Sequence, residues 1–325
     1  MKFEDVENAR QTYNDKAKDV RKKATAIVFS IIALLAALIM IPKTANIIQN
    51  VSHDFNFSPF VLAPVIFFVI MFIFFPIIII NVIVSLKTRQ ELKAYRRMYK
   101  AYFVSQQLAK IFTNLEYNRE EGLNEWILSS TGMIYTGDRY SSNDLTKGKY
   151  KNVDFTQADV KIEEKHTDNE GNTTYVTVFK GRYMIFEFPK KFDFRMMVTP
   201  GMYYGFPGLK DGNKFKKIEV ESTEFNKHFS INAEDGFEAF YLLDPAIISS
   251  IEELGHEYAY NLALYFVDNK LFIGINNGND SFEPPNPKQP IDEKAETDKV
   301  VKDIKTITDF VDKLRLDRGT NAKSA

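Results

Sequence analysis

Two apolar stretches constrain this chain more than any other feature, because a long segment without charge has few places to go in a water-soluble fold. Residues 24–41, ATAIVFSIIALLAALIMI, contain no ionisable side chain. As a helix they reach roughly 27 Å, close to the hydrocarbon thickness of about 30 Å. The second stretch runs from Pro59 to Leu86, also without an ionisable residue. As a helix it is longer than a bilayer is thick, so it must tilt or bend, and Pro64 and Pro76 each remove a backbone donor where it can kink. Buried helices of soluble domains keep a polar face, and neither stretch has one. A cleavable leader accounts poorly for the first stretch, since the 23 residues before it carry five acids. The expectation is a two-helix transmembrane hairpin, 24–41 and 60–86.

Seven Lys/Arg precede the first stretch, seven lie between Lys87 and Lys110, and only Lys43 falls between the stretches. Positive charge is retained on the inner side, which predicts a two-pass plasma-membrane protein with both termini cytoplasmic and the lipid bilayer as its first partner. Ala26, Ser30, Ala33 and Ala37 form a small-residue stripe that lets a neighbouring helix approach closely.

Charge and composition then divide the chain. Residues 1–23 read as a cytoplasmic basic N-terminal helix, 24–86 as the hairpin, 87–120 as a basic juxtamembrane helical stalk, 121–285 as a cytoplasmic α+β domain, and 286–325 as a Pro-rich linker with a C-terminal helix. The segment 121–285 carries 17 Lys/Arg against 26 Asp/Glu, so nucleic acid is not expected as a partner. The absence of Cys removes disulfides, thiolate metal sites and Cys nucleophiles together.

Within 121–285 the pattern is mainly antiparallel β with flanking helices. Short alternating stretches read as strands, among them Asp159 to Ile162, Tyr175 to Phe179 and Tyr183 to Phe188. Asp168 to Asn172 and Asp211 to Asn213 supply turn residues; the first is faintly like a calcium loop but lacks the spacing and closing acid of an EF-hand. Asp244-Pro245 caps a helix bearing Ile247, Ile248, Ile251 and Leu254, with Gly255 as its stop. Asn261 to Val267 and Leu271 to Ile275 read as two strands of a hairpin across Asp268-Asn269. Beyond the prolines, Val300, Ile304, Ile307, Val311 and Leu314 share one face of a helix, for which docking on the domain is the expectation and partner binding the alternative.

No motif commits the chain to a reaction. Among four His, His256-Glu257 starts like a zinc helix, but Tyr260 stands where the second His must be. No phosphate loop, nucleophile elbow or dinucleotide fingerprint is present. No catalytic residue, cofactor or metal is expected. Lys180, Arg182, Lys190, Lys191 and Arg195 form a basic group suited to lipid headgroups or other anions; Lys210, Lys214, Lys216 and Lys217 surround a turn. If the domain were instead an enzyme acting on a membrane-proximal substrate, Asp138, Arg139, Asp144 and Glu187 would be its candidates.

Several segments together resemble the bacterial domain-of-unknown-function 3137 family. They are Gly137-Asp138-Arg139-Tyr140, Asn143-Asp144 through Lys147-Gly148, Phe179 to Tyr183, Ser222 to Phe229, Glu238-Ala239 through Leu243-Asp244-Pro245, Phe266 to Leu271, and Phe310 to Leu316. The resemblance spans roughly 95–316. It implies a membrane-anchored protein with a cytoplasmic domain and a LemA-like membrane protein as neighbour, and it supplies no catalytic residues. The functional expectation is a noncatalytic binding domain for a membrane-associated protein or a lipid headgroup.

Overall fold

The computed structural model describes residues 1–47, 74–201, 206 and 214–318. The chain divides into two units, one of residues 1–102 with 284–291 and one of residues 103–283 with 292–325.

The first unit is helical: α1 (Phe3–Ile47), α2 (74–87) and α3 (Arg89–Tyr99). Ala24 and Val28 of α1 are buried with Ile80 and Val84 of α2, flanked by Ala17, Val20, Ile79 and Ile83. Spacings of four residues put each pair on one helix face, so the two helices meet along an apolar seam. Ion pairing of Lys16 with Glu91 adds a polar link to α3. The proline segment is tied down rather than free: Pro287 O accepts from Arg10 Nη1 at 3.0 Å and Asn14 Nδ2 at 2.7 Å, and Pro285 O from the Tyr95 hydroxyl at 3.2 Å.

The expected transmembrane hairpin requires correction. Among the described residues no helix is long and apolar enough to cross a membrane. The first apolar stretch is not an element of its own but a continuation of α1, whose residues 3–23 hold eleven charged side chains. Of the second expected span, residues 60–73 lie outside the described residues. Its described part, α2, has 14 residues. The two-pass plasma-membrane placement falls with the hairpin; the side chains of 34–41 also lie outside the described residues.

The second unit confirms the α+β reading. Among the described residues its strands are β1 (Thr113–Asn118), β2 (Arg139–Tyr150), β3 (Val153–Thr167), β4 (Thr173–Pro200), β5 (Lys216–Ile218), β6 (Phe229–Ala233) and β7 (Leu262–Ile275). All pairings are antiparallel, in the order β1-β2-β3-β4-β6-β5, with β7 on β4. The 28-residue β4 organises the sheet: β3 and then β6 share one edge of it, and β7 takes the other. Residues 113–118, read from sequence as part of a stalk, are the edge strand β1.

Both faces of the central strands are covered. Ala158, Val160 and Ile162 of β3 point with Tyr183 and Ile185 into a core closed by Leu128 of α5 (Glu125–Thr131), Met133 and Ile134. On the alternate face, Phe186 meets Phe310 of α9 (Glu293–Lys313) with ring centroids 6.4 Å apart. The α9 face read from sequence is buried as expected, with Val300, Ile304, Ile307, Phe310 and Val311 fully enclosed. The unit also holds α4 (Ser105–Ile111), α6 (Thr223–His228), α7 (Gly236–Leu242) and α8 (Pro245–Glu257). Asp244 caps α8 by accepting from Ile247 N, as its Asp-Pro start predicts, but the helix runs past Gly255 to Glu257.

The expected hairpin at Asp268-Asn269 does not form. β7 passes through Asp268, which takes φ +52° opposite Phe192, with register shifts on both sides. A partner strand continues beyond this irregularity, so the chain bulges and keeps pairing instead of turning back. The turn at Asp168 to Asn172 does close β3 onto β4, with Gly171 at φ +85° and Asp168 Oδ1 accepting from Glu170 N and Asn172 N. The second turn, 211–213, lies outside the described residues.

Candidate functional site

Two features of the second unit stand out chemically: an acidic cluster in which Asp144 is buried, Glu283 half-buried and Asp280 exposed, and an exposed aromatic helix face.

The acidic cluster begins at a bulge in β2. Asn143 pairs with Asp159 and Thr146 with Gln157, so two β2 residues, Asp144 and Leu145, oppose the single Ala158. Asp144 takes the left-handed conformation at φ +57°, which short polar side chains tolerate. Its carboxylate is fully buried and accepts from the Tyr117 hydroxyl at 2.5 Å and Asn143 Nδ2 at 2.6 Å. On β3, Gln157 and Asp159 share a face because strand side chains alternate. The Asp159 carboxylate, 3% exposed, accepts from Ser281 N at 2.8 Å.

That contact fixes the loop after β7. Phe282 adopts φ +60°, costly for a bulky side chain, and is held there by three contacts. Its N–H donates to Asp303 Oδ2 at 3.2 Å, its ring lies 6.3 Å from that of Tyr117, and the Arg182 guanidinium stands 5.4 Å above it. The loop so held brings Asp280 and Glu283 to Asp144, with one carboxylate oxygen of each within 4.8 Å of the others. Arg182 is buried and donates to Ser281 Oγ at 3.1 Å and to the Asp303 carbonyl at 2.5 Å.

Electrostatics follow from this crowding. Burial pushes the Asp159 carboxyl up to about 8; Arg182 opposes the shift, while the charges of Asp280 and Asp144 add to it. Burial, then the neighbouring Asp144, raises the Tyr117 hydroxyl far above its ordinary range, so it stays a hydrogen-bond donor.

The aromatic face is on α7. Asp235 caps it, accepting from Phe237 N at 2.8 Å and Glu238 N at 3.2 Å. Ala239 and Leu242 are buried beneath, while Phe237, Phe240 and Tyr241 are 68%, 52% and 59% exposed. Their i, i+3, i+4 spacing gathers them on one side of the helix, with the Phe237 and Tyr241 rings 4.9 Å apart. In the first unit, a cavity of about 420 Å³ is lined by Tyr13, Asn14, Asn81 and three cations, Lys18, Arg21 and Lys288.

The residues singled out from sequence are dispersed. Arg139 pairs across from Glu163 and Glu187 from Asp154, nine residues apart on β3, on the order of 30 Å. Asp138 is exposed and accepts from Lys165 N; Arg139 lies over the Tyr175 ring; Glu187 pairs with Lys270. Only Asp144 joins the acidic cluster. Of the basic group, Arg182 faces inward, Lys191 approaches Asp268 at 3.9 Å, and Arg195 is bound to Glu234, whose carboxyl it holds below its ordinary value. Lys180 is half-buried, and the Lys190 side chain lies outside the described residues. Sequence reasoning passed over Asp159, Asp280, Glu283 and the three α7 aromatics. A lone acid between Ala158 and Val160, and Phe-x-x-Phe-Tyr in a short helix, were the available signals.

Residues 177–316 match the family model described as "Protein of unknown function (DUF3137)". They are a DUF3137 domain. The resemblance read from the sequence is thereby shown over these residues. The DUF3137 domain takes in the α7 face, Asp280 and Glu283, whereas Asp144 and Asp159 precede it. Among solved structures, the crystal structure of the mycobacterial trehalose monomycolate transport factor A, TtfA, is similar at 10% identity and a TM-score of 0.37, covering 68% of this chain and 94% of that one. No curated protein matches the chain.

Proposed function

We propose that this protein is a noncatalytic binding module whose α7 face docks a protein partner offering an apolar groove rimmed by Lys and Arg. The observation that carries this reading is the exposure of Phe237, Phe240 and Tyr241 on one helix face. Grouped exposed aromatics cost solvation in the free protein and are the side chains that anchor interfaces. The rim argues for the partner's charge: residues 228–269 hold eight Asp/Glu and no Lys or Arg, and Asp235, Glu238 and Asp244 flank the helix, all exposed. Opposite charge around an apolar centre steers association and suppresses wrong partners. Dispersal of Asp138, Arg139 and Glu187 over the sheet supports the binding reading over the enzyme alternative.

A LemA-family protein, the neighbour that the family resemblance implies, is the first partner to test. Mild crosslinking of the two purified proteins should recover a complex that weakens with salt and is lost in the Phe240→Ser/Tyr241→Ser double variant. Failure to recover it, or equal recovery with the variant, defeats this pairing. If sedimentation instead shows self-association abolished by the same variant, the face joins two copies and the hetero-partner reading is overturned.

A further inference from the structure

The cavity of the first unit has the charge of an anion site. We propose that it binds a phosphate monoester carrying a small organic group, with Lys18, Arg21 and Lys288 taking the phosphate. At about 420 Å³ the cavity lies within the range of small-ligand pockets, roughly 300–1,000 Å³. All of its lining residues belong to the first unit, and they include three cations and no Asp or Glu.

Helical spacing brings these side chains together. On α1, Asn14, Lys18 and Arg21 stand at i, i+4 and i+7, so they share one face. Asn81, Val84, Ser85 and Thr88 follow the same rule on α2 and at its end, and the last helix adds Leu92. Val84 and Thr88 are 7% and 2% exposed and form the enclosed part of the cavity. The proline segment supplies Lys288, whose backbone is fixed on both sides. Pro287 O accepts from Asn14 Nδ2 at 2.7 Å and from Arg10 Nη1 at 3.0 Å, Gln289 O accepts from Arg10 Nη1 at 3.1 Å, and Lys288 N donates to Asn286 Oδ1 at 3.1 Å. A charge placed in advance loses less freedom when a ligand arrives.

The three cations are uncompensated where their neighbours are not. Arg10, Lys16 and Lys23 of α1 pair with Glu7, Glu91 and Asp19. Lys18, Arg21 and Lys288 form no ion pair among the described residues. Arg21 Nη2 donates at 3.3 Å to Asn81 Oδ1, a neutral acceptor, which leaves the Asn81 amide nitrogen as a further donor. Positive charges around one cavity repel each other, and a dianion relieves all of them at once. The planar fork of Arg and the point charge of Lys both suit phosphate oxygens. Tyr13, Ala17 and Leu92 line the rest, an apolar wall that favours an ester over the bare ion. This inference does not depend on the α7 face.

Phosphate monoesters occur as free metabolites and as the headgroup of phosphatidic acid, and the test separates the two. Calorimetry on the full-length chain uses glycerol 3-phosphate, dihexanoyl phosphatidic acid below its micelle concentration, and glycerol as control. At least one of the phosphates should bind saturably, and glycerol should not. Lys18→Gln/Lys288→Gln, at two exposed positions, should weaken binding about tenfold or more. Lys22→Gln, outside the cavity, should leave it unchanged. Phosphatidic acid binding about tenfold tighter than glycerol 3-phosphate assigns the site to a lipid headgroup, and any smaller preference assigns it to a free ester. No saturable binding of either phosphate below about 1 mM, or binding undiminished in the double variant, overturns the site. Glycerol binding as strongly as its phosphate overturns the choice of ligand.

Discussion

The buried Asp159 carboxyl makes a directional prediction about pH. Its ordinary value, 3.8, is pushed up to about 8 in the folded chain, chiefly by burial. Between those values the folded state holds a proton that the unfolded state has released. Stability from this group is thus fully present below about pH 4 and is lost as pH rises through about 8, with a limiting slope of about 1.4 kcal/mol per pH unit. From pH 5 to pH 7 the loss is about 3 kcal/mol, a large part of the 5–15 kcal/mol that typically holds a domain folded. Asp159→Asn keeps the size and the acceptor for Ser281 N while removing the titration. Urea unfolding in EDTA at half-unit intervals from pH 5 to pH 8.5 should therefore show wild type losing stability relative to the variant as pH rises. A constant difference would refute the reasoning, because it would mean that Asp159 is ionised throughout and its burial is compensated in another way.

Other expectations concern packing. Phe310→Ala, at a fully buried position between Phe186 and Tyr258, should cost about 3–5 kcal/mol by urea unfolding and loosen α9 before the sheet, as hydrogen exchange would show. Gly181→Ala would place a Cβ 2.0 Å from the Ile275 carbonyl oxygen across the β4–β7 ladder. Because backbone must move to relieve that clash, a loss of about 2 kcal/mol or more is expected, and a thermal midpoint within a degree of wild type would contradict it.

How far the sequence could be read follows from the range of each interaction. The antiparallel α+β character, the β3–β4 turn, the Asp244 cap and the apolar face of α9 rest on contacts between residues one to four apart or on strict alternation, and all were legible. The β7 hairpin was misread because Asp268-Asn269 looks the same in a turn and in a bulge; the presence of β4 alongside decided it. The α7 aromatics have a spacing that fits a core face equally well, and only the burial of Ala239 and Leu242 turned them outward.

The apolar stretches that dominate the sequence show the same division. Composition by itself determined that they are uncharged; it did not determine that the first would continue a helix already rich in charge. The acidic cluster is the extreme case. Asp144 and Asp159 lie on the two strands of one hairpin, but Asp280 and Glu283 lie more than 120 residues further on. No local pattern encodes that meeting. It exists because β7 pairs with β4, β4 with β3, and one backbone hydrogen bond from Ser281 sets the loop down on Asp159, a placement that side-chain spacing along the chain cannot express.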